Sequence, residues 1–318
     1  MHGPLRSPHH AGRIVSTDWR HQPERGSRGL MRLLVLITLW VGRPVARGLL
    51  YPICSYFLLF SGGAQRTSRD YLRRILQRPP SWKDVFRHFH AFASTIHDRV
   101  YLLSGRHRYF DIHTEGASAL HAVLAQNRGC ILLGSHLGSF EVLRAQGIFD
   151  HKLPITVIMH EAAASNLNEV LHNLRPEIRD RIIPPGTADT MLAVKERLDR
   201  GEIVGILGDR LFNDEKGMAC EFLGKTRMFP EGPFLLAALL QVPIVLFFGL
   251  YQGGRRYHLY FEPLADTIPV NGARRSETLR PWIERYVSRL EHYCRVSPYN
   301  WFNFYEGPDH AQPSHPAV

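Results

Sequence analysis

The sequence is poor in the features that would settle its class at once. Of 318 residues only four are cysteine, at Cys54, Cys130, Cys220 and Cys294. None stands in a CxxC or CxxxH spacing, so neither a disulfide framework nor a zinc site is signalled. Cys130 lies inside an apolar run, as a small core residue does. Carboxylates are scarce as well: 29 Asp and Glu face 39 Lys and Arg, for a formal net charge of +10. Such a surface favours anionic partners. The basic residues are dispersed, however, and no Lys/Arg-rich recognition element occurs, so no nucleic-acid partner is expected. The histidines form no metal-ligand pattern either. His2, His9, His10 and His21 fall in a polar leader and the others are scattered, so no metal site is expected.

A long hydrophobic run is also missing. Residues 1–29 are rich in Arg, His, Pro, Gly and Ser and read as a disordered leader. Apolar sequence begins only near Leu30 and no small-residue cleavage site follows, so no secretion signal is expected. Residues 30–63 hold two apolar pieces, Leu33 to Val41 and Leu49 to Phe60, broken by "GRPVARG". The first covers about 14 Å as a helix, against a bilayer core of ~30 Å. The second contains Pro52. One span through both would bury Arg43 and Arg47 in hydrocarbon. A hairpin or interfacial helical anchor is therefore expected, with the arginines at headgroup level and Trp40 at the interface. The alternative is a helical pair packed on the rest of the chain.

What is present is alternation. Residues 65–78 and 81–104 read as helices, the second with Ser81 as N-cap and Asp84 three residues on. Phe86, Phe89, Ala93, Ile96, Val100 and Leu103 form its apolar stripe. Beyond Tyr109 strand-like and helix-like segments alternate. "YFDIHT", "CILLGS", "ITVIMH", "IVGILG", "PIVLFFGLY" and "YHLYFEP" read as strands. Helices are expected at "SALHAVLAQN", from about Gly138, around Ser165 to Leu174, and at "TADTMLAVKERLDRG", "PEGPFLLAALLQ" and "SETLRPWIERYVSRLEHYC". The pattern predicts an α/β fold, a mostly parallel central sheet flanked by helices, preceded by the apolar anchoring segment.

In such sheets ligands lie at the carboxyl ends of strands. "CILLGS" leads straight into His136, with Glu141 five residues later. On one helix the two would point about 140° apart. They meet if His136 lies in the loop and Glu141 in the first helical turns, a path that Gly134 and Gly138 permit. A carboxylate on one ring nitrogen fixes the tautomer and raises the basicity of the other, which can then take a proton from a hydroxyl or amine. Taken alone, the pair is equally compatible with a loop histidine and a helix-start charge.

"GSHLGSFE" resembles the first motif of the lysophospholipid acyltransferase superfamily, and most closely its late lipid A acyltransferase branch. The resemblance runs from Gly129 to "PYNWFNFYEGP" near the end. It implies a membrane-bound enzyme on the cytoplasmic face of a bacterial inner membrane. Such an enzyme moves a fatty acyl chain from acyl carrier protein or coenzyme A, as co-substrate, to a hydroxyl or amine of a lipid or glycolipid. It uses no metal or bound cofactor. His136 is then the general base and Glu141 its orienting partner, with backbone N–H groups near Gly138 and Ser139 as candidate oxyanion and substrate contacts.

A second match, "GEIVGILGDRLFNDEKGMACEFLGKTRMFPEGP", places Asp209 and Arg210 at a strand end. Arg210 is the candidate to hold an acceptor phosphate or the donor's phosphopantetheine arm, and Asp209 to order the loop. "FPEGP" resembles the phosphate-binding motif of glycerolipid members, but it falls in a different slot and reads as a helix entrance. Lipid A enzymes usually carry Arg-Pro after the strand matching "ITVIMH". Here His160 and Glu161 stand there, which implies a different acceptor or a different hold on the tetrahedral intermediate. The expected organisation is a leader over 1–29, an anchor over 30–63, an acyltransferase domain over 64–308 and a flexible tail over 309–318. Acidic carrier protein and anionic membrane are the expected partners of the basic surface. The alternatives are an acyltransferase of another lipid pathway (aryl-polyene-type or glycerophospholipid) and a non-catalytic lipid-binding protein.

Overall fold

A computed structural model describes residues 35–149, 153, 155–159, 181–186, 188–211, 215–269 and 275–304. The leader, the tail, His160 and Glu161, and the helix expected around Ser165 to Leu174 lie outside the described residues.

Residues 35–40 are helical, followed by α1 (Arg43–Phe60), α2 (Gly62–Leu76) and α3 (Trp82–Leu103). Ser81 caps α3 as its spacing predicts. Its hydroxyl accepts from the Asp84 N–H, and the Asp84 carboxylate accepts from the Ser81 N–H in return. Then come β1 (Asp111–Glu115), α4 (Ala117–Leu124), β2 (Cys130–Gly134), α5 (Phe140–Phe149), β3 (Ile155–Ile158), β4 (Ile182–Ile183), α6 (Ala188–Asp199) and β5 (Ile203–Leu207). The chain continues through β6 (Gly217–Phe222), β7 (Lys225–Pro230), α7 (Gly232–Leu240), β8 (Ile244–Tyr251), β9 (Arg256–Ala265) and α8 (Arg275–Val296).

Seven strands form one sheet in the order β1-β9-β8-β2-β5-β3-β4. Every neighbouring pair is parallel except β8–β9, which the turn at residues 252–255 makes antiparallel. The mostly parallel sheet is as expected. The inner strands read as unbroken apolar runs because both faces are covered. Cys130 and Leu132 of β2 enter the core on one face, with α5 residues Val142 and Leu143. Ile131 and Leu133 enter the core on the other, with Phe234 of α7 and Tyr286 of α8.

Three details depart from the expectation. "GRPVARG" interrupts the chain only at its first residue: the helix over 35–40 ends at Val41 and Gly42, and Arg43 to Phe60 is then one helix with Pro52 inside it. Its arginines turn inward rather than toward headgroups. Arg43 is 7% exposed and forms a fork with Asp98 at 2.9 and 3.0 Å, while Arg47 lies 3.8 Å from the same carboxylate. A buried Asp98 would be costly unpaired, and the two guanidinium groups supply its partners. No single described helix is long and apolar enough to cross a membrane, although α1 and α2, bent by 95°, pass that test as a pair. The third departure is the β6–β7 hairpin, which the sequence reading left unassigned. It is a separate two-stranded antiparallel sheet from Gly217 to Pro230.

Candidate active site

The site follows from strand register. β2 and β5 are parallel neighbours, and Gly134 is paired with Leu207 at their carboxyl ends. The Gly208 N–H donates to the Gly134 carbonyl at 3.0 Å, so the two chains leave the sheet side by side. His136 and Asp209 each lie two residues beyond that last pair, and they meet. The His136 ring nitrogen Nδ1 is 2.8 Å from Asp209 Oδ1, and the His136 backbone N–H donates to the same oxygen at 3.0 Å. The other oxygen, Oδ2, accepts from the Trp301 indole N–H at 3.0 Å.

Three donors therefore surround a carboxylate that is fully buried. Burial by itself raises its pKa. The His136 ring, the Arg210 charge and the His136 backbone N–H outweigh that and hold the carboxyl well below its usual range. An ionised Asp209 fixes the proton of His136 on Nδ1 and leaves Nε2 with its lone pair. Nε2 bonds to no described residue, and the histidine side chain is 29% exposed. Burial also lowers the His136 pKa, and the charges of Arg210 and Arg99 push the same way. Asp209 pulls it up without reversing the direction. The ring is thus neutral and able to accept a proton at neutral pH.

A segment from the end of the chain completes the loop around His136. The Phe302 N–H donates to the His136 carbonyl and the Gly138 N–H donates to the Asn300 carbonyl, each at 2.8 Å. Arg210 Nη2 donates to the Phe302 carbonyl at 2.8 Å. Asn300 is held by both backbone groups of Tyr251 at the end of β8. Trp301 is 4% exposed, and its carbonyl lies 2.8 Å from Nε2 of buried His88 on α3. Gly138 has φ +73°, and a Cβ there would stand 1.8 Å from the Gly249 carbonyl oxygen, so glycine is required.

Two expected roles change. Glu141 does not orient His136: it lies on α5 with Oε2 3.4 Å from Arg144 Nε, and makes no hydrogen bond to the ring. Asp209, expected to order the loop, occupies the orienting position because the register of β2 and β5 brings it there directly. The helix-start amides are also committed. Gly138 N–H is taken by Asn300 and Ser139 N–H by the Gly249 carbonyl at 2.8 Å, so neither is available to an oxyanion. The Ser139 hydroxyl is buried without a hydrogen-bond partner.

Trp301, Asn300 and Arg99 escaped the sequence reading. The shared offset of His136 and Asp209 beyond two apolar runs was a usable signal. Trp301 and Asn300 lie within "PYNWFNFYEGP", where the resemblance ends, but their roles depend on how the chain returns after α8. "FPEGP" behaves as a helix entrance: Glu231 is 4% exposed and its carboxylate accepts from Ser276 at 3.2 Å. Among the described residues no group of three or more His, Cys, Asp or Glu side chains could hold a metal ion.

Residues 81–302 match the family model described as bacterial lipid A biosynthesis acyltransferase. That match takes in α3, the whole seven-stranded sheet, His136, Asp209 and Trp301. A comparison with curated proteins gives no match.

Proposed function

Since the chain belongs to the bacterial lipid A biosynthesis acyltransferase family and is an acyltransferase, we propose that it transfers a fatty acyl chain from an acyl thioester to a hydroxyl of a lipid or glycolipid. The donor is acyl carrier protein or coenzyme A, and the reaction takes place at the cytoplasmic face of a bacterial inner membrane. The observation that carries this reading is the His136–Asp209 contact, with Nε2 left open.

In this mechanism Nε2 of His136 takes the proton of the acceptor hydroxyl as its oxygen attacks the thioester carbonyl. The imidazolium that forms is stabilised by Asp209 at 2.8 Å. The tetrahedral intermediate collapses with cleavage of the C–S bond, and the leaving thiolate takes the proton back from Nε2. Charge develops on the carbonyl oxygen meanwhile, and the Gly138 and Ser139 amides are occupied. Arg99 and Arg210, the cations whose fields reach His136, take over that role. Arg99 suits it: its Nε is buried without a hydrogen-bond partner. Glu141 then serves to balance Arg144 and Arg99.

Membrane association is supported by a row of exposed apolar side chains before and along α1. Trp40 is 86% exposed, Leu59 72% and Phe60 61%. These side chains suit an interfacial helix, with the basic surface drawn to anionic headgroups and to an acidic carrier.

The test uses labelled acyl donor and extracted membrane lipid with the purified full-length chain. Wild type transfers label to lipid, and His136→Ala reduces the rate to background. Equal transfer by His136→Ala removes His136 from the chemistry.

A further inference from the structure

A cavity of about 180 Å³, with Trp301 in its lining, lies between α2 and the β6–β7 hairpin. Arg66 and Arg74 border it from α2, and Lys225 and Arg227 from the hairpin. Asp70, the one carboxylate among its described lining residues, is paired with Arg74. The Arg227 guanidinium is 4.9 Å from the centre of the Trp301 ring. Asn303 also lines this space. It is 3% exposed, and its amide nitrogen Nδ2 is buried with no hydrogen-bond partner.

An amide donor left unsatisfied in the protein interior is costly. Its partner must therefore be sought in the cavity it lines. That partner is an acceptor, and the predominance of cations among the described lining residues favours an anion. Guanidinium groups converging on a small space match phosphate oxygens in charge and in fork geometry. The volume is below the ~300 Å³ at which drug-sized pockets begin, so the cavity holds a headgroup fragment rather than an acyl chain or a protein helix. Arg66, one of its lining residues, follows the exposed Leu59 and Phe60 closely in the chain. An apolar tail could thus leave the site along the exposed surface of α1.

We propose that this cavity binds the phosphate group of a membrane lipid, held by Arg66, Lys225 and Arg227 with the Asn303 amide at its floor. Identifying that lipid with the acyl acceptor rests on the function proposed above; the binding itself does not.

The experiment is calorimetric titration of the full-length chain in uncharged detergent with dihexanoyl phosphatidic acid, dihexanoylglycerol and inorganic phosphate. Phosphatidic acid is expected to bind at least tenfold more tightly than either of the others. The R66E/K225E double variant, and separately N303L, should weaken that binding tenfold or more at unchanged thermal midpoint. N303L, which changes no charge, carries the test should the double variant not fold. Equal affinity for the neutral glyceride, or unchanged phosphatidic acid binding in both variants, overturns the proposal. Inorganic phosphate binding as tightly as the lipid overturns the lipid source and leaves a free-anion site. Loss of acidic carrier protein binding in R66E/K225E, with phosphatidic acid binding retained, transfers the surface to the carrier. Acyl transfer by wild type in the same preparation shows whether the catalytic reading survives any of these failures.

Discussion

At the scale of single residues, the decisive question is which carboxylate works with His136. Asp209 touches Nδ1 at 2.8 Å and raises the pKa of the ring, while Glu141 faces Arg144. The sign of the pH effect separates them. His136 acts as a base only when neutral, so the rate falls as pH drops through its pKa. Burial, Arg210 and Arg99 set that pKa below the ordinary histidine value of about 6.5. The acid limb of kcat/KM should therefore lie below that value in wild type. Asp209→Asn removes the group that pulls the pKa up, so the limb moves to still lower pH. The maximal rate falls on the order of 10²–10⁴-fold as the imidazolium loses its partner. Glu141→Gln lowers the rate by disturbing the Arg144 and Arg99 charges but leaves the acid limb in place. Steady-state rates from pH 5 to 8 on the three proteins decide the matter. A limb that moves for Glu141→Gln and not for Asp209→Asn would return the orienting role to Glu141.

At the scale of elements, the site depends on a contact between the third helix and the end of the chain. His88 of α3 is fully buried between Ser68 Oγ at 2.9 Å on Nδ1 and the Trp301 carbonyl at 2.8 Å on Nε2. That arrangement suits the neutral ring, with Nε2–H donating to the carbonyl and Nδ1 accepting from the serine. Burial pushes its pKa down to about 4. The folded value lies below the unfolded one, so the stabilising contribution is complete above about pH 6.5 and is lost as pH falls toward 4. It amounts to about 3 kcal/mol. Urea unfolding at pH 7 and pH 4.5 should show a larger loss in wild type than in His88→Gln. Equal losses would mean that His88 titrates normally. Trp301 also holds Asp209, so the same acid range should loosen the catalytic pair.

How far these elements were legible in the sequence differs by kind. The inner strands were clear because residues such as Ile131 to Leu133 and Ile203 to Ile206 are apolar on both faces. The β6–β7 hairpin was hidden because Arg227, Lys225 and Thr226 interrupt its alternation, and because it stands as a separate two-stranded sheet outside the alternating strand–helix pattern. His136 was found from its motif. Asp209 was found at the right place with the wrong duty, since register between two strands is a property of the folded sheet and of neither strand alone. Trp301 and His88 are joined across 213 residues, which no local pattern encodes.

At the scale of the whole molecule, one side carries apolar side chains that the fold leaves uncovered. Arg43 and Arg47 are tied to Asp98, so α1 is anchored to the body by buried charge while Leu59, Phe60, Tyr56 and Tyr51 stay exposed. Because these two arginines face inward, the membrane association proposed above would draw its attraction to anionic lipid from other basic residues and its insertion from the apolar row. Burying one large apolar side chain contributes about 1.5–3 kcal/mol. Replacing Leu59 and Phe60 together with serine should therefore weaken vesicle binding at least ~100-fold. The folded core should be unaffected, since Leu59 and Phe60 are exposed in the free protein. Sedimentation with vesicles of mixed neutral and anionic lipid measures this, with circular dichroism as the control on folding. Raising salt should weaken both proteins alike, because the charged contribution is shared. Unchanged sedimentation of the Leu59→Ser/Phe60→Ser variant would show that this row is not a membrane-binding surface.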